Sequence, residues 1–227
     1  MRIEYCFKEN KIVHVIVLKP SENRKLGLGY MLHTYHFSAR QVETLSFNDD
    51  SDCCFDCPYS YNQNKGKSGG CYTHQGFQRL GLTSMLKRLH TKKIGAFNKK
   101  DFNKFLGIVK AFNVDMTRFG VYGEPVSLPL NIVGKLVRLS DKHTGYTHQW
   151  HKANGYSKYF MASVASSIEA AIANDLGYRC FITYKKEDVK AATCPAAKEF
   201  LGKKKTCIEC GACNGGDRKN NIKIKIH

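Results

Sequence analysis

Apolar and polar positions alternate from the first residues of the chain: Ile3, Tyr5 and Phe7 lie on one side of an extended segment. Glu9-Asn10-Lys11 then breaks the pattern, and a β-branched run from Ile12 to Leu18 follows, which Pro20 is expected to end. Together these predict a β-hairpin over residues 1–20. Residues 27–37 (GLGYMLHTYHF) form a further aromatic, strand-like stretch. The spacing of Leu80, Leu82, Met85, Leu86 and Leu89 predicts a helix over 79–92, and Phe102, Phe105, Leu106, Val109 and Phe112 predict another over 100–112. Met116 to Val121 reads as a strand ending in the turn Tyr122-Gly123-Glu124-Pro125. Leu130 to Leu139 reads as a helix, Tyr146 to Trp150 as a short strand, and Tyr159 to Val164 as another. Ser166-Ser167-Ile168-Glu169 has the form of a capping box opening a helix that Gly177 closes, before a strand from Tyr178 to Tyr184. Ile222 to Ile226 alternates with lysine and is expected as a closing edge strand.

The order between about 100 and 185 is therefore helix, strand, helix, strand, strand, helix, strand. Such alternation predicts an α/β fold with parallel strands and crossover helices. In that architecture ligands and chemistry collect beyond the C-terminal ends of the strands. Here those positions are Tyr122 to Pro125, Thr147 to Trp150, Ser163 to Ser166, and the segment from Tyr184 into Cys194. The expected division is an α/β domain over 1–190, with a metal-ordered loop at 49–76, and a cysteine-rich metal-binding lobe over 191–227.

Charge adds a partner to this picture. Thirty-six Lys and Arg against nineteen Asp and Glu leave a formal charge of +17. An excess of this size attracts polyanions, nucleic acid first, because each neutralised phosphate releases condensed counterions. No apolar run approaches the ~18 residues that cross a bilayer, so no membrane partner is expected. The start MRIEYCFKEN carries no apolar signal-peptide core, which points to the cytoplasm.

Ten cysteines in such a chain point to metal or catalysis before disulfides, and eight of them fall in two short stretches. Cys207, Cys210 and Cys213 form C-x2-C-x2-C, with Cys194-Pro195 upstream. Spacings of two let neighbouring thiolates turn onto one centre, as four zinc ligands or as ligands of an iron–sulfur cluster. His227 could replace one of them. In the first stretch Cys54 and Cys57 form a knuckle that Cys71 and His74 could complete as a second metal site. Cys53 is adjacent to Cys54 and cannot easily share its ion; Cys6 and Cys180 fall in strands and read as core.

Two polar constellations could carry chemistry. Arg118, Tyr122, Gly123 and Glu124 lie at one strand end, where a carboxylate could act as base or nucleophile. Asp115 belongs to the opposite end of that strand. Tyr146, His148, Gln149 and Trp150 concentrate stacking and hydrogen-bonding groups suited to a planar base, with His148 available for proton transfer.

Several motifs share a resemblance: Cys57-Pro58 with Gly70-Cys71-Tyr72, Gly120-Val-Tyr-Gly-Glu-Pro125, Gly145-Tyr-Thr-His-Gln-Trp150, Met161-Ala-Ser-Val164, and Cys194-Pro with Thr206-Cys207-x2-Cys210-x2-Cys213. Over residues 54–227 the chain resembles a group of phage-encoded proteins similar to 7-deazaguanine DNA transglycosylases, themselves similar to tRNA-guanine transglycosylases. Gly76-Phe77-Gln78 is similar to a Gly-Phe-Gln segment of that superfamily, although His74 and Gln75 stand where the superfamily carries an aspartate. The cysteine spacing is C-x2-C-x2-C where the superfamily has C-x-C-x2-C. The resemblance implies a complete or incomplete TIM-barrel-like fold, a structural zinc near the C-terminus, and exchange of guanine in DNA for a 7-deazaguanine base through a carboxylate nucleophile, in the cytoplasm of an infected cell. Glu124 is the expected carboxylate. His148 or Gln149 would read the base, and Arg118, Tyr122, Gly123, Tyr146 and Trp150 would line the substrate site. Two other readings stay open: an iron–sulfur enzyme of radical type, and a non-catalytic zinc protein that binds nucleic acid.

Overall fold

The computed structural model describes residues 1–21, 23–64, 71–74, 76–184, 189–216 and 220–225. Among the described residues ten strands form two five-stranded sheets. The first runs β1 (Ile3–Glu9), β2 (Ile12–Ser21), β3 (Gly29–Ser38), β4 (Val114–Tyr122) and β5 (Ser140–Thr144), in that spatial order. Its first three strands are antiparallel, while β3, β4 and β5 run parallel. The second contains β6 (Tyr146–Thr147), β7 (Met161–Val164), β8 (Cys180–Tyr184), β9 (Ala192–Thr193) and β10 (Ile222–Lys225), ordered β6-β7-β8-β10-β9 and parallel throughout. The helices are α1 (Ala39–Thr44), α2 (Ser51–Cys54), α3 (Gly76–His90), α4 (Lys99–Lys110), α5 (Leu130–Val137), α6 (Ser167–Asp175) and α7 (Cys207–Cys210). No helix among the described residues is long and apolar enough to cross a membrane.

β2 is apolar from Val15 to Leu18 on both faces because both faces of the first sheet are covered. On one side Phe7, Ile16, Leu18, Leu32 and Phe119 pack with Phe102, Phe105 and Val109 of α4 and with Ile132, Val133 and Leu136 of α5. On the other, Val13, Val15, Val17, Tyr35, Phe37 and Tyr122 pack with Leu82, Met85, Leu86 and Leu89 of α3. A third cluster joins β7 and β8 to Ala170 and Ala173 of α6. At the start of α6 the Ser166 hydroxyl accepts the Glu169 N–H, while the Glu169 carboxylate accepts the Ala165 N–H rather than that of Ser166.

Several expectations change. Pro20 lies inside β2 rather than ending it: β1 starts at Ile3 opposite Leu18, so Pro20 has a ladder partner only on the β3 side, opposite Tyr30. β5 was not foreseen, because Ser140-Asp-Lys-His-Thr144 has no apolar alternation. Its polar groups are used instead. Ser140 Oγ meets Thr117 Oγ1 at 2.8 Å, Lys142 Nζ donates to the carbonyls of Ile208 and Glu209, and His143 Nε2 contacts those of Tyr159 and Asn214. β10 is not an edge but lies between β8 and β9. β9 and β10, from the expected 191–227 lobe, pair within the second sheet. Ile226 and His227 lie outside the described residues. Among the described residues the ladders form two sheets, with no ladder closing them into one barrel.

Gly145 joins the sheets. A Cβ there would lie 2.5 Å from a Phe160 ring carbon and 3.1 Å from the Phe119 Cβ. Gly145→Ala must push one aromatic ring aside and is expected to lower stability by roughly 1–3 kcal/mol, the usual cost of overpacking a core. Urea unfolding of the variant measures this.

Candidate metal centre and adjoining cleft

At the end of β4 the chain turns sharply at Gly123, whose φ is +74° and where a Cβ would lie 2.4 Å from the His36 carbonyl oxygen. This turn directs Glu124 inward. The Glu124 N–H donates to the Cys53 carbonyl (2.8 Å), tying the first cysteine stretch to the strand end. Its carboxylate is buried at 4% exposure and fully occupied. Oε2 accepts the Thr147 hydroxyl (2.7 Å), Oε1 lies 2.9 Å from His148 Nδ1, and the His148 N–H is 3.2 Å from both oxygens. His148 follows β6, which runs parallel with its neighbours, so Glu124 and His148 both lie just beyond C-terminal strand ends. The Cys57 thiol reaches the same Nδ1 at 3.4 Å.

Cys57, Glu124 and His148 each offer a ligand atom, and these atoms lie within 4.8 Å of one another. This group can bind a metal. Tetrahedral zinc at ordinary bond lengths places thiolate sulfur about 3.5 Å from imidazole nitrogen, matching the Cys57–His148 separation, and the His148–Glu124 pair need open only by about half an ångström. Burial alone would lower the His148 pKa, but hydrogen bonds to Cys57 and Glu124 and their negative charge outweigh it and raise it well above its usual range. Cys71 lies in the field of the same centre: burial raises its pKa, the Cys57 charge adds to that, and His148 opposes it.

An open cleft of about 410 Å³ adjoins His148, with Asp56, Tyr59, Trp150, His151 and Glu169 among its walls. Asp56 is the cleft carboxylate with the most partners. Lys152 Nζ donates to it at 2.6 Å, the Gln149 side-chain amide donates to its other oxygen, and His151 Nε2 lies 3.5 Å away. The Lys152 hydrogen bond, aided by that of Gln149, holds the Asp56 pKa down to about 2 against a small opposing effect of burial, so the group is ionised at neutral pH. Trp150 stands edge-on to His151, and Tyr59 edge-on to His148.

The expected site residues therefore separate. Glu124 and His148 come together, and Trp150 lines the cleft. Gln149 is buried and holds Asp56 rather than facing the cleft with a free amide. Tyr122 is a core residue at 2% exposure: its hydroxyl accepts from the Gln41 amide and its ring packs on Phe37 and Phe47, so it lines no substrate site. Tyr146 packs on Phe181, with its hydroxyl toward Cys213. Arg118 donates to the Tyr72 hydroxyl. The set Cys54, Cys57, Cys71 and His74 does not assemble. The Cys54 thiol turns to that of Cys53 at 3.8 Å. His74 lies among Phe47, Tyr61 and Tyr122, where burial pulls its pKa down to about 4. Of the expected set only Cys57 belongs to the group, and Glu124 and His148 stand beside it in place of the others. Asp56, Tyr59, His151 and Glu169 were missed, though Asp56 sits inside the C-x2-C knuckle itself.

Cys194, Cys207, Cys210 and Cys213 occupy one neighbourhood. Burial pushes the Cys213 thiol up to about 12, and the charges of the other three add to that. Cys207 opens α7, whose Thr206 and Glu209 form a capping box, and Gly211 closes it in the left-handed conformation. The segment is anchored by Arg179, which donates to the carbonyls of Ala212, Gly215 and Asn220, and by Gly145 N–H to the Cys213 carbonyl. Among the described residues their sulfurs do not form a group of three within 4.8 Å of one another. Residues 65–70, with Gly70, and Gln75 and His227 lie outside the described residues. The chain matches no family model, no curated protein and no solved structure in the comparisons made.

Proposed function

We propose that this chain is a base-exchange enzyme acting on DNA, replacing guanine with a 7-deazaguanine base in the cleft beside His148. The observation that carries the reading is the ionised Asp56 carboxylate among the aromatic walls of a cleft at C-terminal strand ends. The +17 charge supplies attraction for the strand, and a target base must leave the stack to enter such a pocket. A TIM-barrel-like ancestry belongs to the same proposal; the parallel strands β3-β4-β5 and β6-β7-β8, on either side of Gly145, are what support it.

In the proposed reaction an Asp56 oxygen attacks the sugar C1′. The C1′–N9 bond breaks, its electron pair leaves with guanine, and guanine takes a proton from His151. N9 of the incoming base then displaces the Asp56 ester and returns its proton to His151. Protons and charge balance over the two steps. Gln149 and Lys152 hold Asp56 in place, and Trp150 and Tyr59 supply surfaces for a planar base.

Zinc suits the mixed thiolate, imidazole and carboxylate set of Cys57, His148 and Glu124 better than an iron–sulfur cluster, which thiolates hold. Bound there, it would fix the segment carrying Asp56 against the ends of β4 and β6. Cys194, Cys207, Cys210 and Cys213 are proposed as a second, structural zinc site on their spacing and shared neighbourhood, one whose sulfurs must draw together to hold an ion. Glu124 thus becomes a metal ligand rather than the nucleophile. The test of function is incubation of the chain with guanine-containing DNA and a 7-deazaguanine base, followed by nucleoside mass spectrometry; no exchange would reject the reading. Cys57→Ser is expected to remove one zinc per chain while leaving the second, with a fall in Tm. Elemental analysis of both proteins checks this, and equal zinc content would remove Cys57 from the ligand set.

A further inference from the structure

A second polar cluster lies on β3, β4 and β5, upstream of the strand ends that carry the cleft chemistry. His33, Arg118 and Thr144 are direct neighbours across these three parallel strands, so their side chains share one face of the sheet in a row. His33 is 5% exposed, and neither of its ring nitrogens has a hydrogen-bonded partner. Thr144 is 6% exposed, and its hydroxyl has that of Tyr146 as its neighbour. Between them stands Arg118, which makes no ion pair among the described residues. Its side-chain hydrogen bond there is to the Tyr72 hydroxyl at 3.1 Å, and the groups around it are the hydroxyls of Tyr72, Tyr146 and Tyr35.

A half-buried guanidinium without a carboxylate is costly, and so are the two orphaned ring nitrogens of His33 beside it. One ligand resolves all of these. Every group in the row can donate: the guanidinium, a neutral imidazole N–H and two hydroxyls. Cys207 lies in the field of Arg118, but a thiolate there leaves both ring nitrogens of His33 unsatisfied. A tetrahedral oxyanion offers several oxygens in different directions, where a carboxylate offers two in one plane. Tyr72 is 52% exposed, so the guanidinium's hydrogen-bond partner is itself open to solvent.

We infer that Arg118, His33 and Thr144, with the Tyr72 hydroxyl, form a binding site for a phosphate group. The inference stands whether or not the cleft exchanges bases. The phosphate can be free or part of a nucleic acid backbone, and the test separates these sources.

The full chain, labelled with ¹⁵N in its histidines, is titrated first with inorganic phosphate and then, separately, with a short single-stranded oligonucleotide. Saturable movement of the His33 ring-nitrogen resonances is expected. Movement with phosphate identifies a free anion, and movement only with the oligonucleotide identifies a backbone phosphate. Arg118→Gln is expected to weaken the effective ligand at least about tenfold, the loss of a charge-assisted pair. Unmoved His33 resonances in the wild-type chain with both probes would overturn the proposal, even if the variant failed to fold. So would unchanged affinity in a folded Arg118→Gln chain.

Discussion

Asp56→Asn is expected to abolish base exchange while leaving the fold and the zinc content intact. The substitution is nearly isosteric and removes the charge that attacks C1′. The amide cannot form the glycosyl ester, so the loss should be at least about 10³-fold, as for removal of other covalent nucleophiles. The Asp56 side chain and its Lys152 partner are both well exposed, so little stability is at stake. Glu124→Gln should also impair exchange, but by a different route: it alters a buried ligand group, so zinc content and Tm should fall with activity. Measuring activity, zinc and melting together for both variants separates the roles. A folded, zinc-replete Asp56→Asn chain with normal activity would remove Asp56 from the reaction.

The second large effect is acid sensitivity. His14 and His36 are fully buried, with their Nδ1 atoms 2.9 Å apart. Burial lowers the His14 pKa to about 4 and that of His36 well below its usual value, with repulsion from His14 adding to the second. His33, also buried, is lowered to about 3 by burial first, with help from Lys19, Arg118 and Arg2. In the unfolded chain these groups titrate near 6.5, so between that pH and their folded values the unfolded state binds more protons. Stability is therefore complete above about pH 6.5 and falls as pH drops toward 4. A displacement of this size is worth on the order of 2–3 kcal/mol per residue, and typical total stability is only about 5–15 kcal/mol. The chain is thus expected to unfold cooperatively between about pH 6 and 4. Urea midpoints measured across that range should fall steeply, and more gently in a His14→Gln/His36→Gln chain. Flat midpoints from pH 7 to 4.5 would contradict neutral burial of these histidines.

Much of the fold was legible because its strands and helices carry their own burial pattern. The hairpin, β4, α3 to α6, β7 and β8 all have apolar spacings that packing then uses, as at Leu82, Met85, Leu86 and Leu89 on α3. β5 was hidden because its partners are backbone carbonyls and hydroxyls more than 15 residues away, which leave no periodic mark. β10 looked like an edge because its lysines suggested solvent, yet Ile222 is buried and the strand pairs on both sides.

The site was legible in its parts but not in its grouping. Cysteine spacing singled out Cys57, and the strand-end rule singled out Glu124 and His148. That the three share one centre depends on a loop folding back over 67 to 91 residues of sequence, through the Glu124 N–H to Cys53 carbonyl bond. No local spacing encodes that contact. Glu124 read as a carboxylate free for chemistry, but the Gly123 turn and the Thr147 hydroxyl bury and occupy it. Asp56 was overlooked because, between two cysteines, it resembled a spacer in a metal knuckle.

The most direct measurement is the intact mass of the chain after incubation with a guanine-containing oligonucleotide, without an incoming base, followed by peptide mapping. The account predicts a covalent glycosyl adduct on Asp56 that disappears when a 7-deazaguanine base is added. An adduct on Glu124, or base exchange that proceeds with no adduct at Asp56, would contradict it.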